Sequence, residues 1–347
     1  VERYSTVGRA GAIVACLIGA GFASGQEVVQ FFAVYGGLRG ALGAGLACLV
    51  LAAGCSWLLR DAPGGPVFVR WCGHPAGWLL QRAAPVFLFG VYAVMLSGAG
   101  ALLETAAGLP SWLGRTLMLA ATLATALGGL TRMTTLLGKL GPLIALFAGG
   151  TGLAALLCGP NGESVPALAP PARSWWMAAL VYAGYNFYLL VPFLQAMGQT
   201  VRGKSSARRI SLLACTMFGA ALLVLQGGLT RFPAVMLSPA PAVALAGRMW
   251  PRAVWAALPV LLAGVYTTAA PLLFGLCTGR RGGRKRMVCL ALAGWLCSAL
   301  PFERLVGGLF PVIGWFGLAM LACRGLTGAC RLLQRGKLSG AKSAPKA

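Results

Sequence analysis

Leu17-Ile18-Gly19-Ala20-Gly21-Phe22-Ala23-Ser24-Gly25-Gln26-Glu27 lies in the middle of the first long apolar segment, Gly8 to Phe32. Gly19, Gly21 and Gly25 each weaken a helix by about 1 kcal/mol relative to Ala. Ser24, Gln26 and Glu27 then place polar groups where a membrane-crossing helix is oiliest. In hydrocarbon, a loosened backbone persists only where it is buried in protein or lines a watery cavity. The stretch is therefore a candidate binding site on a span that breaks at its own centre. Two other readings fit the same residues. One is a glycine seam that lets helices approach closely. The other is a signal peptide with Ala23-Ser24-Gly25 as its small-residue exit.

Working outward, the 347 residues are 58% hydrophobic and 10% charged, with a mean hydropathy of +0.79. Many apolar runs of about 20 residues define a helical multi-span membrane protein. The net charge of +23 does not signal nucleic acid, because the basic residues sit in short loops between apolar runs. Cys16, Cys48, Cys55, Cys215 and Cys297 lie inside apolar runs, where cysteine acts as a small hydrophobe, and no metal or disulfide framework is implied. The single histidine, His74, sits in a basic loop and leaves no material for a histidine metal site or a catalytic triad. With no paired acids either, an intramembrane enzyme is not expected.

The apolar runs predict ten spans, at about 8–34, 38–59, 82–107, 112–130, 137–158, 174–198, 209–230, 253–278, 287–302 and 304–324. Residues 232–251 read as a long loop with a short interfacial helix. With the N-terminus inside, 22 of the 29 basic residues fall in inner segments and 7 in outer ones. That excess predicts ten spans with both termini cytoplasmic. The tail after Arg324 is basic and reads as a solvated segment near anionic headgroups.

Ten spans divide as five plus five. Leu17–Phe22 in span 1 lines up with Leu180-Val181-Tyr182-Ala183-Gly184-Tyr185 in span 6, and Pro85–Tyr92 in span 3 with Pro259–Tyr266 in span 8. Two halves of five spans each must be inverted relative to one another, an arrangement typical of secondary transporters. The expected units are 1–159, 160–324 and a basic tail, 325–347. Span 6 is expected to break as well. Pro192 frees a carbonyl one turn earlier, and Tyr182, Tyr185, Asn186 and Tyr188 place polar groups near its centre.

The five-plus-five plan with breaks in spans 1 and 6 resembles the leucine-transporter-type fold of the amino acid–polyamine–organocation superfamily. Gly19–Glu27 is similar to the hallmark of the YkvI-type bacterial membrane proteins. The resemblance implies an all-α protein of the bacterial cytoplasmic membrane, with a substrate site between spans 1, 3, 6 and 8. It also implies a sodium site made of the Ala15 and Ile18 carbonyls, the Gly264 carbonyl and the Thr267 and Thr268 hydroxyls. Such uncharged hard oxygens suit Na⁺. Two threonines bonded back to their own helix is the plainer reading of that spacing. Lys139 is placed too near the inner end of span 5 to substitute for the ion.

The expected substrate-binding set is Gly19, Ala20, Gly21, Phe22, Ser24, Gly25, Tyr92, Tyr182, Tyr185, Asn186 and Tyr188. The expected function is Na⁺- or H⁺-coupled transport of a small solute, an amino acid or related amine. The alternative is a transporter-fold sensor without turnover. Neither reading requires a cofactor beyond a coupling ion, and the partners are solute and lipid bilayer. Glu27, the acid nearest the break, is a candidate to read a substrate amine or carry a proton. About seven residues at about 1.5 Å each place it roughly 10 Å outward from the break, where the competing reading pairs it with Arg39.

Overall fold

The computed structural model describes residues 5–62, 67–159, 168, 170–277, 283–299 and 312–327. The basic tail beyond Thr327, the start of span 10 and the end of span 9 lie outside the described residues. Span 1 is three short helices: α1 (Thr6–Leu17), α2 (Ala20–Ser24) and α3 (Gln26–Phe31). Ser5 opens α1 by accepting the Gly8 N–H at 3.0 Å. Helical dihedrals are lost at Ile18 (φ −84°, ψ 71°) and Gly19 (φ −72°, ψ −176°). Gly25 separates α2 from α3 at φ 86°, a left-handed conformation that glycine enters without a Cβ penalty. The glycines and small polar residues thus interrupt the chain where the sequence places the break.

The remaining helices are α4 (Gly37–Asp61), α5 (Val67–Cys72), α6 (Ala76–Ala107), α7 (Ser111–Leu127), α8 (Gly129–Cys158), α9 (Trp175–Gly198), α10 (Lys204–Arg231), α11 (Pro241–Met249), α12 (Val254–Cys277), α13 (Gly283–Cys297) and α14 (Val312–Thr327). By length and hydropathy, α4, α6, α8, α9, α10 and α12 are each able to cross a membrane, whereas α1 and α14 are shorter apolar helices. Large apolar side chains face outward, among them Leu49 (73% exposed), Leu146 (73%) and Leu157 (76%), as a bilayer rather than water permits. The expected loop at 232–251 holds a short 3₁₀ turn, Pro233–Leu237, and the nine-residue α11.

The expected break in span 6 is absent. Helix α9 runs without interruption from Trp175 to Gly198, with Pro192 inside it. Span 1 has three glycines within seven residues, whereas α9 has only Gly184 between Leu180 and Pro192. A single proline costs one hydrogen bond, which a helix packed among neighbours tolerates. Asn186 is also satisfied without a break, since its Nδ2 donates to the Tyr182 carbonyl at 3.1 Å.

Packing sets α1 against α8 and α10, α4 against α9 and α10, and α6 against α12. A separate glycine seam lies ahead of the Gly19–Glu27 stretch, in the first half of span 1. A Cβ on Gly11 would sit 2.7 Å from the Gly138 carbonyl, and one on Gly138 would sit 2.8 Å from the Gly8 carbonyl. The matched residues of spans 3 and 8 prove to be clamps on α7. Tyr92 Oη lies 3.2 Å from Thr122 Oγ1, and Tyr266 Oη lies 2.6 Å from Thr125 Oγ1.

Candidate functional site

Two adjoining cavities lie at the break. The larger, about 380 Å³, is lined by Ala20, Gly21, Ser24, Gln26, Glu27 and Gln30 from the span-1 segment, with Met95, Gly98 and Leu102 of α6. Its far wall includes Tyr185, Val265, Trp315 and the loop residues Pro171 and Pro239. The smaller, about 40 Å³, is lined by Cys16, Gly19, Val91, Asn186, Thr268 and Leu272 among others. Ala20, Gly21, Glu27, Met95 and Tyr185 line both, so they form the partition between the two chambers.

Glu27 is the centre of that partition. Tyr185 Oη donates a hydrogen bond to Glu27 Oε2, which joins α9 to α3. Gly21 carries the carboxyl on its face, since a Cβ there would overlap Glu27 Oε1. Glu27 follows Gly25 into α3, and its carboxyl lies against Gly21 of α2. It is not paired with Arg39: Arg39 is exposed, and Glu27 has no cationic partner among the described residues. The space above Gly21, expected to admit a ligand, is filled by this carboxyl.

The remaining predicted residues divide by helix face. Ala20, Gly21 and Tyr185 line both cavities, Ser24 the large one, and Gly19 and Asn186 the small one. Ser24 Oγ donates to the Gly21 carbonyl at 3.1 Å, closing the short turn. Phe22 is fully buried against Phe218, with ring centroids 5.3 Å apart, and lines neither cavity. Gly25 gives way to α11, since a Cβ there would meet the Ala242 nitrogen at 2.6 Å. Tyr182 packs its ring on Phe31 and Phe32, with centroids at 5.3 and 4.8 Å. Tyr188 donates to the Leu80 carbonyl at 3.1 Å, below the cavities.

Tyr92 faces α7 instead of the cavity, because the cavity side of α6 is set by Val91, Met95, Gly98 and Leu102. Those positions recur at intervals of three and four, the spacing of one helix face, and one residue further on is rotated by about 100°. That periodicity was the signal in the sequence that would have named Met95. Gly184, which aligns with Gly21 in the sequence repeat, lines neither cavity. A Cβ on it would overlap the Gly314 carbonyl and sit 2.9 Å from the Leu318 nitrogen, so it is a contact between α9 and α14.

The candidate sodium ligands come together in part. Thr267 Oγ1 donates to the Gly264 carbonyl at 3.0 Å and lies 3.4 Å from the Ile18 carbonyl across the helix pair. Thr268 Oγ1 lies 3.3 Å from the Gly264 carbonyl and packs on Gly19, where a Cβ would meet it at 2.8 Å. These four oxygens belong to α12 and to the end of α1, and all are uncharged hard oxygens, which suit a cation such as Na⁺. Ala15 instead packs on α8, where a Cβ on Gly141 would sit 2.7 Å from its nitrogen. Lys139 is exposed and stays outside the cluster.

At the other end of α4 the helices are tied together. Arg324 Nε lies 2.9 Å from Asp61 Oδ2, and Trp71 Nε1 donates to the same oxygen at 3.0 Å. The Arg324 guanidinium lies over Trp57 at 5.5 Å and Trp71 at 5.8 Å. Arg9 Nη2 donates to the Thr200 carbonyl at 3.2 Å. Sequence reasoning passed over Asp61, although acids number only 6 in the chain.

A broken first helix and a cavity at the break, within a long-helix apolar bundle, define a membrane protein of the leucine-transporter-type fold. It shares that fold with a Na⁺-coupled sialic acid symporter in a substrate-bound outward-open state, at a TM-score of 0.63 and 11% identity, covering 92% of this chain and 78% of that one. Mhp1 in an inward-facing conformation matches at a TM-score of 0.55 and 18% identity, covering 92% and 75%. No family model matches the chain. In sequence it is similar to the uncharacterized membrane protein YkvI of Bacillus subtilis, 23% identical over 319 residues, covering 89% of this chain and 92% of that protein. The uncharacterized protein YyaD of the same organism is 23% identical over 332 residues, covering 90% and 93%. The YkvI-type resemblance carried by Gly19–Glu27 therefore extends along nearly the whole chain.

Proposed function

We propose that this protein is a secondary active transporter of a small solute, an amino acid or related amine, driven by Na⁺ or H⁺. One observation carries the reading: a cavity of about 380 Å³ at the broken span reaches one end of the bundle, while the other end is tied by Asp61, Arg324 and Trp71. Access from one side at a time is what alternating transport requires. The halves 1–159 and 160–324 would rock against each other as inverted repeats. The tied end carries Arg9, Arg70 and Arg324, and the excess of basic residues there supports a cytoplasmic assignment for both termini in a bacterial cell membrane.

Two groups compete for the coupling role. The oxygens of Ile18, Gly264, Thr267 and Thr268 would hold Na⁺, and the sialic acid symporter that shares the fold is Na⁺-coupled. Glu27, the acid of the cavity wall, would carry a proton. The test is uptake into proteoliposomes against a panel of amino acids and amines, with imposed Na⁺ or pH gradients. Exchange of labelled solute across the vesicle supports transport. Binding without exchange would leave a sensor in its place.

A further inference from the structure

The larger cavity is built for one sign of charge. Among the residues that line the two chambers, Glu27 supplies a carboxylate, and there is no Lys, Arg or His. Resting on the transporter reading, we propose that the Glu27–Tyr185 pair is a specificity latch, and that the substrate is an amine cation without a free carboxylate, whose ammonium takes the place of the Tyr185 hydroxyl on Glu27.

Charge comes first. A zwitterionic or anionic solute would bring its carboxylate into the same enclosed space as Glu27, with no cationic side chain on the wall to meet it. Like charges in a low-dielectric volume repel strongly, and an unpaired buried charge is costly. An amine cation has only the attractive half of that balance. Phe31 and Trp315 also line the chamber, and the Phe31 ring lies 5.8 Å from the Tyr185 ring. Aromatic faces favour a cation within about 6 Å over a neutral or anionic guest.

Position comes second. Glu27 and Tyr185 belong to the partition, so their hydrogen bond closes the large chamber off from the small one. The phenol is a neutral donor. An ammonium donates to the same carboxylate and also neutralises its charge as an ion pair, which a low-dielectric wall favours, and so displaces it. Freed from Glu27, the Tyr185 side chain unlatches the partition, and the space lined by Gly19, Asn186 and Thr268 joins the chamber. Gly21 keeps the carboxyl at the wall, since a Cβ there would push it away. Selection and opening would then be one event at one oxygen.

The experiment uses full-length purified protein and matched probes: butylammonium with norvaline and pentanoate, isopentylammonium with leucine, and phenethylammonium with phenylalanine. Binding is measured calorimetrically for the unmodified protein, Glu27→Gln and Tyr185→Phe. The expected result is that at least one ammonium binds 10-fold or more tighter than its parent amino acid, with no measurable pentanoate binding. Glu27→Gln is expected to weaken that ammonium about 10- to 100-fold, the loss typical of a hydrogen bond to a charged group. Tyr185→Phe removes the competitor without touching the charge, so it is expected to bind the ammonium at least as tightly as the unmodified protein. This second variant keeps the test decisive if Glu27→Gln does not fold. Equal or tighter binding of an amino acid, no binding of any ammonium, or weaker ammonium binding by Tyr185→Phe would overturn the proposal. Counterflow separates the two readings. Glu27-dependent ammonium binding without exchange removes transport and keeps the latch, whereas exchange of an amino acid in preference to its amine keeps transport and removes the latch.

Discussion

Arg324 Nε sits 2.9 Å from Asp61 Oδ2, joining the end of α14 to the end of α4, some 24 residues or about 36 Å of helix from Gly37 at the start of α4. The side chains are 15% and 25% exposed, so the pair is neither a free surface contact nor a dry one. Exposed pairs of this kind contribute up to about 1 kcal/mol.

That magnitude sets the first prediction. In a protein whose only thiol is Cys16, which lines the small chamber, Asp61→Asn is expected to speed maleimide labelling from the tied end about 5-fold, the factor that corresponds to ~1 kcal/mol. Labelling from the cavity side is expected to fall or stay level. An unchanged rate from the tied end would show that Asp61 does not hold that end closed.

Gly21 and Gly184, which align in the sequence, are expected to respond differently. An added Cβ at Gly21 meets the end of a flexible side chain, the Glu27 carboxyl, which can swing aside. Gly21→Ala is therefore expected to melt within a few degrees of the unmodified protein while losing solute affinity. At Gly184 the added atom meets the backbone of α14, which cannot swing. Gly184→Ala is expected to lose about 1–3 kcal/mol of stability, as overpacked sites do. Thermal melting in detergent checks both, and equal melting losses would remove the distinction.

Sodium and proton coupling make opposite forecasts. With sodium as the driving ion, Thr267→Ala and Thr268→Ala each remove one oxygen ligand. Sodium affinity is expected to drop about 10-fold or more, and solute affinity to fall with it, since ligands that favour one conformation favour each other reciprocally. Glu27→Gln would leave sodium dependence in place. With the proton as the driving ion, Glu27→Gln is expected to abolish the response of uptake to a pH gradient, and Thr268→Ala to cost little. Uptake with each gradient imposed separately decides between them.

Ser205 opens α10 and Leu109 follows α6, and both are exposed. In a cysteine-free background, Ser205→Cys is expected to react with an impermeant maleimide only from the cytoplasmic side, and Leu109→Cys only from outside. Reaction from the same face would contradict the inverted halves, because the spans between the two positions would no longer be odd in number.

The sequence alone determined the solvent and the place of the break. Hydropathy and span length are local sums, so a 58% hydrophobic chain with basic loops declares a bilayer before any contact forms. Three glycines in seven residues likewise declare a weak helix at Gly19–Gly25. What only the tertiary structure decided is which side of each helix meets the cavity. Tyr92 and Val91 are neighbours in sequence, yet one clamps α7 and the other lines the chamber, because a helix turns about 100° per residue and neighbouring helices choose the face. Proline and polar residues in α9 look like a second break, but packing on α4, α12 and α14 keeps it continuous. Glu27 reads as an outward acid by distance along the chain. It becomes the wall of the site because its carboxyl lies against Gly21 and Tyr185, 158 residues away, donates to it.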